Sequence, residues 1–265
     1  MLDHDAEPVA WREAGPPDGD VVLFLHGLGM TRTGWDSQLA ALADRWRCVA
    51  WDMPGYGASP ALDEPLTFAA IADSVAALLD TLDADGAHLV GLSFGGMHAL
   101  HTALRHPTRV RSLTLADTSP AFGLDGVTTR EGWVRARLAA LDAGATPADI
   151  APAVLDAISG PGFTGEPFEA AVASMSRIDA EGLRTAVHLL PDHDVQGRGS
   201  EITAPTLVIV GELDEETPPA YARALAEEIP GSTYVEIPDV GHLTPIEAPA
   251  TFNGHLRSFI SEGTP

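Results

Sequence analysis

The sequence predicts an α/β fold in which helices cover both faces of a mainly parallel central sheet. Two observations predict this class: short apolar segments recur between turn residues, and amphipathic helical patterns lie between those segments. Where a helix connects two strands, the chain crosses back over the sheet and the two strands run parallel. Such crossovers are right-handed. A third observation, a long break in the alternation, predicts a helical insertion in the middle of the chain.

Six short apolar segments are the predicted strands. Most of them lack the alternation of polar and apolar residues that marks a half-exposed strand, which indicates strands covered on both faces. The predicted strands are residues 21–25, 48–51, 88–90, 113–116, 206–210 and 234–237.

Helical patterns separate these strands. Residues 68–82 carry apolar side chains at spacings of 3 and 4, and the segment after Ser93 does the same. The alternation then breaks from about Pro120 to Gly199. In that stretch the predicted helices cover residues 131–143, 148–158, 167–175 and 180–189. We therefore expect a core formed by residues 1–119 and 200–265, with residues 120–199 as a helical lid over one edge of the sheet.

Acidic residues dominate the charge of the chain. It has 38 Asp and Glu residues against 15 basic residues, all of them arginine, and a formal net charge of -23. Such a field repels phosphate backbones and anionic lipid headgroups, so neither nucleic acid nor a membrane surface is an expected partner. The absence of lysine excludes a lysine Schiff base. A small-molecule substrate is the expected partner, and the oligomeric state stays open.

The cysteine content and the first residues bear on the compartment. Cys48 is the only cysteine and stands in an apolar setting, which predicts a buried side chain and no intramolecular disulfide. The first residues lack the basic and apolar regions of a signal peptide. No apolar segment approaches the roughly 20 residues of a membrane span. We therefore expect a cytoplasmic protein.

Ser93 lies between a predicted strand and a predicted helix, in the run Gly91-Leu92-Ser93-Phe94-Gly95. A serine at this junction is a good helix N-cap. It is also suited to nucleophilic catalysis, because a sharp strand-to-helix turn exposes the hydroxyl and requires small residues two positions before and after it. Gly91 and Gly95 meet that requirement.

An acid and a base follow the later strands. Asp214 comes after the strand at residues 206–210, and His242 comes after the strand at residues 234–237. A serine needs a histidine base, which in turn needs a carboxylate to orient it. Asp117 follows the strand at residues 113–116 and is an alternative acid.

A glycine-rich turn, His26-Gly27-Leu28-Gly29, follows the first predicted parallel strand. Its backbone N–H at Leu28, together with the N–H of Phe94 directly after Ser93, predicts an oxyanion hole.

These motifs resemble the α/β-hydrolase superfamily and, within it, the 3-oxoadipate enol-lactonase group. The resemblance extends over about residues 9–260. It is carried by the segments at residues 26–29, 91–97, 211–214 and 241–249. It favours Asp214 over Glu215 and Glu216 as the acid, and it assigns Asp52 a structural role in a loop under the active site.

Trp133 and Arg137 lie on one face of a predicted lid helix and resemble a tryptophan-arginine segment of the lactonase lid. One interpretation is that Trp133 packs the lid onto the core while Arg137 is solvated. The other is that both line the pocket, where an arginine binds a substrate carboxylate.

The function that the resemblance implies is hydrolysis of a small-molecule ester or lactone through Ser93, His242 and Asp214. No metal or organic cofactor is expected, and His98 and His101 are interpreted as ordinary helix residues because no carboxylate completes a zinc motif. The alternatives are hydrolysis of carbon-carbon bonds in vinylogous diketones, cofactor-free haloperoxidase chemistry, acyl transfer, and a slow-turnover ligand receptor.

Overall fold

An eight-stranded sheet forms the centre of the computed structural model, which describes residues 1–5 and 8–262. The strands along the chain are β1 (Leu2–His4), β2 (Trp11–Ala14), β3 (Val21–Leu25), β4 (Arg47–Trp51), β5 (Ala87–Leu92), β6 (Val110–Ala116), β7 (Thr206–Gly211) and β8 (Thr233–Ile237). Across the sheet their order is β1-β2-β4-β3-β5-β6-β7-β8.

The strands from β3 to β8 pair in parallel, whereas β1 and β2 pair antiparallel at one edge. All six predicted strands are present, and the predicted mainly parallel sheet is confirmed. The two antiparallel strands, β1 and β2, were not predicted. Both are short and only partly buried, so they lack the continuous apolar character that identifies the central strands.

Ten α-helices connect or cover these strands among the described residues. Their bounds are α1 (Asp36–Leu42), α2 (Phe68–Thr81), α3 (Phe94–Arg105), α4 (Arg130–Asp142), α5 (Pro147–Ile158), α6 (Glu166–Met175), α7 (Ala180–Leu189), α8 (Pro219–Glu228), α9 (Thr244–Glu247) and α10 (Pro249–Glu262). The predicted helical segments all appear, with ends that differ by one residue at most.

The two faces of the sheet are covered by different helices. Side chains alternate along β3, so Leu23 and Leu25 join a buried cluster with α2, α3 and α8, whereas Phe24 joins a second cluster with α1 and α10. Phe24 packs against Trp35 with ring centroids 5.0 Å apart. Every residue of β3 is buried, because both of its faces and both of its neighbours are occupied.

The helices α4–α7 form an insertion between β6 and β7, which we call the helical insertion (residues 120–199). Local sequence starts these helices: Thr146 and Asp149 form a reciprocal capping box at α5, and Asp179 caps α7. Leu138 and Leu183 of the insertion belong to the same buried cluster as β3 and α3. The insertion is therefore packed onto the body through shared apolar side chains.

Within residues 1–5 and 8–262, no helix has both the length and the apolar composition that crossing a bilayer requires. Cys48 is buried on β4, and burial raises the pKa of its thiol to about 12. This environment agrees with the prediction of a small hydrophobic side chain.

Candidate active site

Ser93 occupies a strained turn between β5 and α3. Its backbone has φ 53° and ψ -115°, a conformation that L-residues rarely adopt and that costs about 1–3 kcal/mol. The adjoining glycines make the turn sterically possible. A Cβ on Gly91 would lie 2.3 Å from the carbonyl oxygen of Gly95, and a Cβ on Gly95 would lie 2.0 Å from the carbonyl oxygen of Leu25. The turn therefore excludes any side chain at these two positions.

The end of β6 holds this turn in place. The N–H of Ser93 donates to the carbonyl oxygen of Ala116 at 2.8 Å, and the hydroxyl of Thr118 donates to the carbonyl oxygen of Ser93 at 2.9 Å. Both polar groups of the strained peptide are thereby hydrogen-bonded. The surrounding structure compensates the backbone strain and keeps the serine hydroxyl above the carboxyl end of the sheet.

Three side chains predicted from separate segments form one hydrogen-bonded chain. The Oγ of Ser93 lies 2.8 Å from Nε2 of His242, and Nδ1 of His242 lies 2.8 Å from Oδ2 of Asp214. Because an ionised carboxylate only accepts hydrogen bonds, Nδ1 carries the proton when His242 is neutral, and Nε2 is then free to accept from the serine hydroxyl. This is the tautomer that a histidine base requires.

The Asp214 carboxylate is held by its own loop as well as by His242. Its Oδ1 accepts from the N–H groups of Glu216 and Thr217, both at 2.9 Å, and its Oδ2 also accepts from the hydroxyl of Thr217 at 2.9 Å. The carboxylate is buried, and its lone pairs are satisfied in the ionised form. Thr217 was not predicted as part of the site, although its position three residues after an aspartate fits such a turn.

Asp214 and His242 interact electrostatically. Burial opposes the charge on both side chains, but the mutual attraction and hydrogen bond between them outweigh burial. As a result the pKa of His242 is raised to about 9, and the pKa of Asp214 lies below its ordinary value. The negative charge of Asp214 therefore stabilises a protonated His242.

The loop that carries His242 is bonded to the helical insertion. The N–H of His242 donates to the carbonyl oxygen of Ile158, the last residue of α5, at 2.9 Å. The carboxylate of Glu247 accepts from the N–H groups of Gly160, Gly241 and Leu243 at 2.7, 3.0 and 2.9 Å. The position of His242 thus depends on contacts with both the core and the insertion.

Hydrogen bonds from His26 and Tyr56 fix the loop that carries Leu28. His26 is fully buried, bonds the carbonyl oxygen of Gly27 through Nδ1 at 2.9 Å, and accepts from the N–H of Met53 through Nε2 at 3.1 Å. The hydroxyl of Tyr56 donates to the carbonyl oxygen of Leu28 at 2.8 Å. His26 belongs to the glycine-rich turn identified in the sequence, whereas Tyr56 lies outside the segments that carried the prediction.

The N–H groups of Leu28 and Phe94 are the predicted oxyanion donors. Phe94 is the first residue of α3, where backbone N–H groups have no acceptor inside the helix. Neither N–H has a hydrogen-bond acceptor among the residues that the structure describes. Both N–H groups are therefore free of acceptors within the described residues.

A cavity of about 490 Å³ opens over Ser93 and His242. Trp133 and Arg137 both line it, as does Leu28. The guanidinium of Arg137 lies over the Trp133 ring, 5.4 Å from its centroid, and forms an ion pair with Glu216. Trp133 also packs edge-on against Phe122, with centroids 5.6 Å apart. The two side chains thus combine a packing role with a place in the cavity wall.

The sequence profile of the alpha/beta hydrolase fold matches residues 20–249. The chain belongs to the α/β-hydrolase family. This hydrolase is 29% identical over 249 residues to 3-oxoadipate enol-lactonase 1 of Acinetobacter baylyi, covering 93% of this chain and 90% of the relative. It is 32% identical over 250 residues to the pimeloyl-(acyl-carrier protein) methyl ester esterase of Chromobacterium violaceum, covering 91% and 92%. The enol-lactonase structure from Burkholderia xenovorans superposes with a TM-score of 0.86 at 26% identity, over 98% of this chain and 100% of that one.

These matches confirm the family resemblance that the motifs predicted. They extend over nearly the whole hydrolase, including the helical insertion, and the structural match confirms the predicted fold class. The enol-lactonase and the methyl ester esterase, which have different activities, are similarly identical to this chain. Assignment of a substrate therefore depends on the side chains of this hydrolase itself.

Asp117, the alternative acid, lies beside the site without bonding His242 among the described contacts of this hydrolase. Its Oδ1 accepts from the N–H of Gly211 at 3.1 Å, and its Oδ2 accepts from the N–H and hydroxyl of Thr244 at 2.9 and 2.8 Å. Gly211 begins the loop that carries Asp214, and Thr244 follows His242 by two residues. Asp117 therefore links the loop that carries Asp214 to the loop that carries His242.

Asp52 has the structural role that the family resemblance assigned to it. Its buried carboxylate accepts from the N–H of Arg32 at 2.7 Å and from the N–H of Ala58 at 3.0 Å. Each bond fixes one of the loops that follow β3 and β4. Asp52 thus supports the floor of the hydrolase site from outside the cavity.

The histidines of α3 are packing residues. His98 is fully buried against the ring of Phe94, with centroids 4.2 Å apart, and burial holds its pKa well below the ordinary value. His101 hydrogen-bonds His193 at 3.1 Å. In the part of the chain that the structure describes, no group of three or more His, Cys, Asp or Glu side chains is arranged to hold a metal ion.

We predict that Asp117 makes stability depend on pH. Burial and the charge of Asp214 raise the pKa of Asp117 to about 7, so the folded protein keeps a proton that the unfolded chain releases. Raising the pH from about 5 to about 8 therefore lowers the free energy of unfolding of the wild type. Asp117→Asn has no titrating group at this position, so this part of the pH dependence is lost in the variant. Denaturant titrations at several pH values should show the variant gaining stability relative to wild type as the pH rises.

Asp63→Asn is the matched control, because it removes an exposed carboxylate and should shift stability equally at every pH. Parallel pH curves for wild type and Asp117→Asn would contradict the assignment.

Proposed function

We propose that the protein hydrolyses small-molecule esters or lactones through a covalent acyl-enzyme formed on Ser93. The observation that carries the proposal is the continuous hydrogen-bonded chain from Ser93 through His242 to Asp214 at the base of a cavity. The relatives described above are named as an enol-lactonase and a methyl ester esterase, which supports the same bond type.

In the first step, Nε2 of His242 takes the hydroxyl proton of Ser93 while Oγ attacks the substrate carbonyl carbon. The carbonyl oxygen becomes an oxyanion, which the N–H groups of Leu28 and Phe94 stabilise by hydrogen bonds. Asp214 stabilises the imidazolium that forms and keeps its ring in the reactive orientation. The buried setting strengthens each of these electrostatic interactions.

The tetrahedral intermediate then collapses. The bond between the carbonyl carbon and the alcohol oxygen breaks, and protonated His242 transfers its proton to that oxygen. The alcohol leaves from an ester, whereas in a lactone it stays attached to the acyl group. Water then attacks the acyl-enzyme with His242 as the base, which releases the carboxylic acid and restores Ser93.

In this proposal the helical insertion (residues 120–199) acts as a lid that excludes water and shapes the substrate cavity. Trp133 and Arg137 contact the substrate from α4, and α5–α7 supply apolar wall residues. The hydrogen bond from His242 to Ile158 supports such a role, since it links the base directly to the insertion.

Removal of the nucleophile should abolish turnover. Ser93→Ala should lower kcat for a p-nitrophenyl ester by about 10⁴-fold or more, because the remaining groups contribute binding and oxyanion stabilisation alone. Ser200→Ala, at an exposed serine away from the cavity, should keep wild-type kcat. Wild-type kcat in a folded Ser93→Ala protein would contradict the proposal.

The pH profile should report the coupling between acid and base. His242 acts as a base only when neutral and its pKa is raised, so kcat/KM should increase with pH to a midpoint above the ordinary histidine value of about 6.5. Asp214→Asn should move this midpoint to lower pH, because burial then acts on the imidazole without the opposing charge. It should also lower the plateau by about 10⁴-fold. A midpoint unchanged by Asp214→Asn would contradict Asp214 as the partner of His242.

A further inference from the structure

The interior of the cavity is apolar. Its wall above Ser93 is built from side chains of α3 and of the helical insertion that have no hydrogen-bonding groups. Representative wall residues are Met97, Ile150, Val154, Met175, Leu183 and Val187. A charged group placed among these side chains loses its hydration without gaining a partner, which is strongly unfavourable.

Apart from His242, the charged side chains that line the cavity lie at exposed positions and are mostly acidic. Asp125, Glu215 and Glu216 are carboxylates, and Arg137 is the one guanidinium among the described lining residues. The whole chain adds a formal net charge of -23. We call these exposed lining residues the cavity mouth. An anionic substrate is therefore repelled at the mouth before it reaches the apolar wall.

Arg137 does not offset this repulsion, because its charge is already paired. Its guanidinium forms an ion pair with Glu216 and lies over the face of Trp133. The side chains of Arg137 and Glu216 are 38% and 34% exposed, so the pair lies at the solvent boundary of the cavity. A substrate carboxylate would have to displace Glu216 from Arg137, while Glu216 itself would stay nearby as a repelling charge.

We propose that the cavity selects esters or lactones whose acyl portion is apolar and uncharged, and that it discriminates against substrates with a carboxylate on that portion. The inference rests on the proposed ester hydrolysis and defines the substrate class of the same site. In this respect the cavity differs from what a dicarboxylate-derived lactone requires, namely an unpaired cation near the far end of the acyl chain.

The test compares p-nitrophenyl hexanoate with mono-p-nitrophenyl adipate, two esters with the same methylene chain that end in a methyl group and in a carboxylate, respectively. For the wild-type enzyme, kcat/KM for the carboxylate ester should be at least about tenfold lower than for the neutral ester. An ω-amino ester of the same length should be hydrolysed faster than the carboxylate ester, because the acidic mouth attracts an ammonium group. Equal or faster hydrolysis of the carboxylate ester overturns the inference.

Glu216→Gln distinguishes the effect of charge at the cavity mouth on specificity from the effect of the apolar wall. This substitution removes one repelling carboxylate and frees Arg137, so the ratio of kcat/KM for the carboxylate ester to that for the neutral ester should rise about tenfold. Glu227→Gln makes the same change in net charge on α8 outside the cavity lining and should leave the ratio unchanged. An unchanged ratio in Glu216→Gln, or an equal rise in Glu227→Gln, contradicts the inference.

Ser93→Ala distinguishes failure of this inference from failure of the proposed function. If Ser93→Ala is inactive toward both esters and the wild type prefers the carboxylate ester, only the substrate class is wrong. If Ser93→Ala hydrolyses the neutral ester as fast as wild type, the proposed function itself is wrong.

Discussion

The backbone of Ser93 is the constraint on which the rest of the site depends. A left-handed φ places the serine hydroxyl above the sheet, but it is stable only where the chain packs closely on both sides. Gly91 and Gly95 permit the approach of neighbouring carbonyl groups, and β6 supplies hydrogen bonds to the Ser93 peptide through Ala116 and Thr118. The central parallel strands therefore position the hydroxyl and the loops that face it.

Two buried carboxylates have different roles because their partners differ. Asp214 bonds His242 and is stabilised in its ionised form by an attractive charge. Asp117 bonds backbone and hydroxyl donors of the two neighbouring loops, and its pKa is raised by burial and by Asp214. Asp214 thus places a negative charge beside His242, whereas Asp117 links the loop that carries Asp214 to the loop that carries His242.

The helical insertion connects these loops to the cavity. Ile158 accepts from the N–H of His242, and the hydroxyl of Ser174 accepts from the N–H of Thr31 at 3.0 Å, in the segment just after the Leu28 loop. The same helices present apolar side chains toward Ser93. In the proposed function, the helices that line the acyl pocket also support His242 and the Leu28 loop. Substitutions in these helices that change substrate specificity are therefore expected to change the stability of the site as well.

The sequence by itself determined the class of the fold, the six parallel strands, the helices between them and the chain order of Ser93, Asp214 and His242. These features follow from local periodicity and turn residues, which depend on near neighbours in the chain. The tertiary structure places the Asp214 carboxylate against His242 and the Asp117 carboxylate against Gly211 and Thr244, although both aspartates follow strands that end at the same edge of the sheet. It also decided the partner of Arg137. Glu216 is 79 residues away in sequence, and their pairing depends on how α4 packs over the loop after β7. No local pattern carries that information.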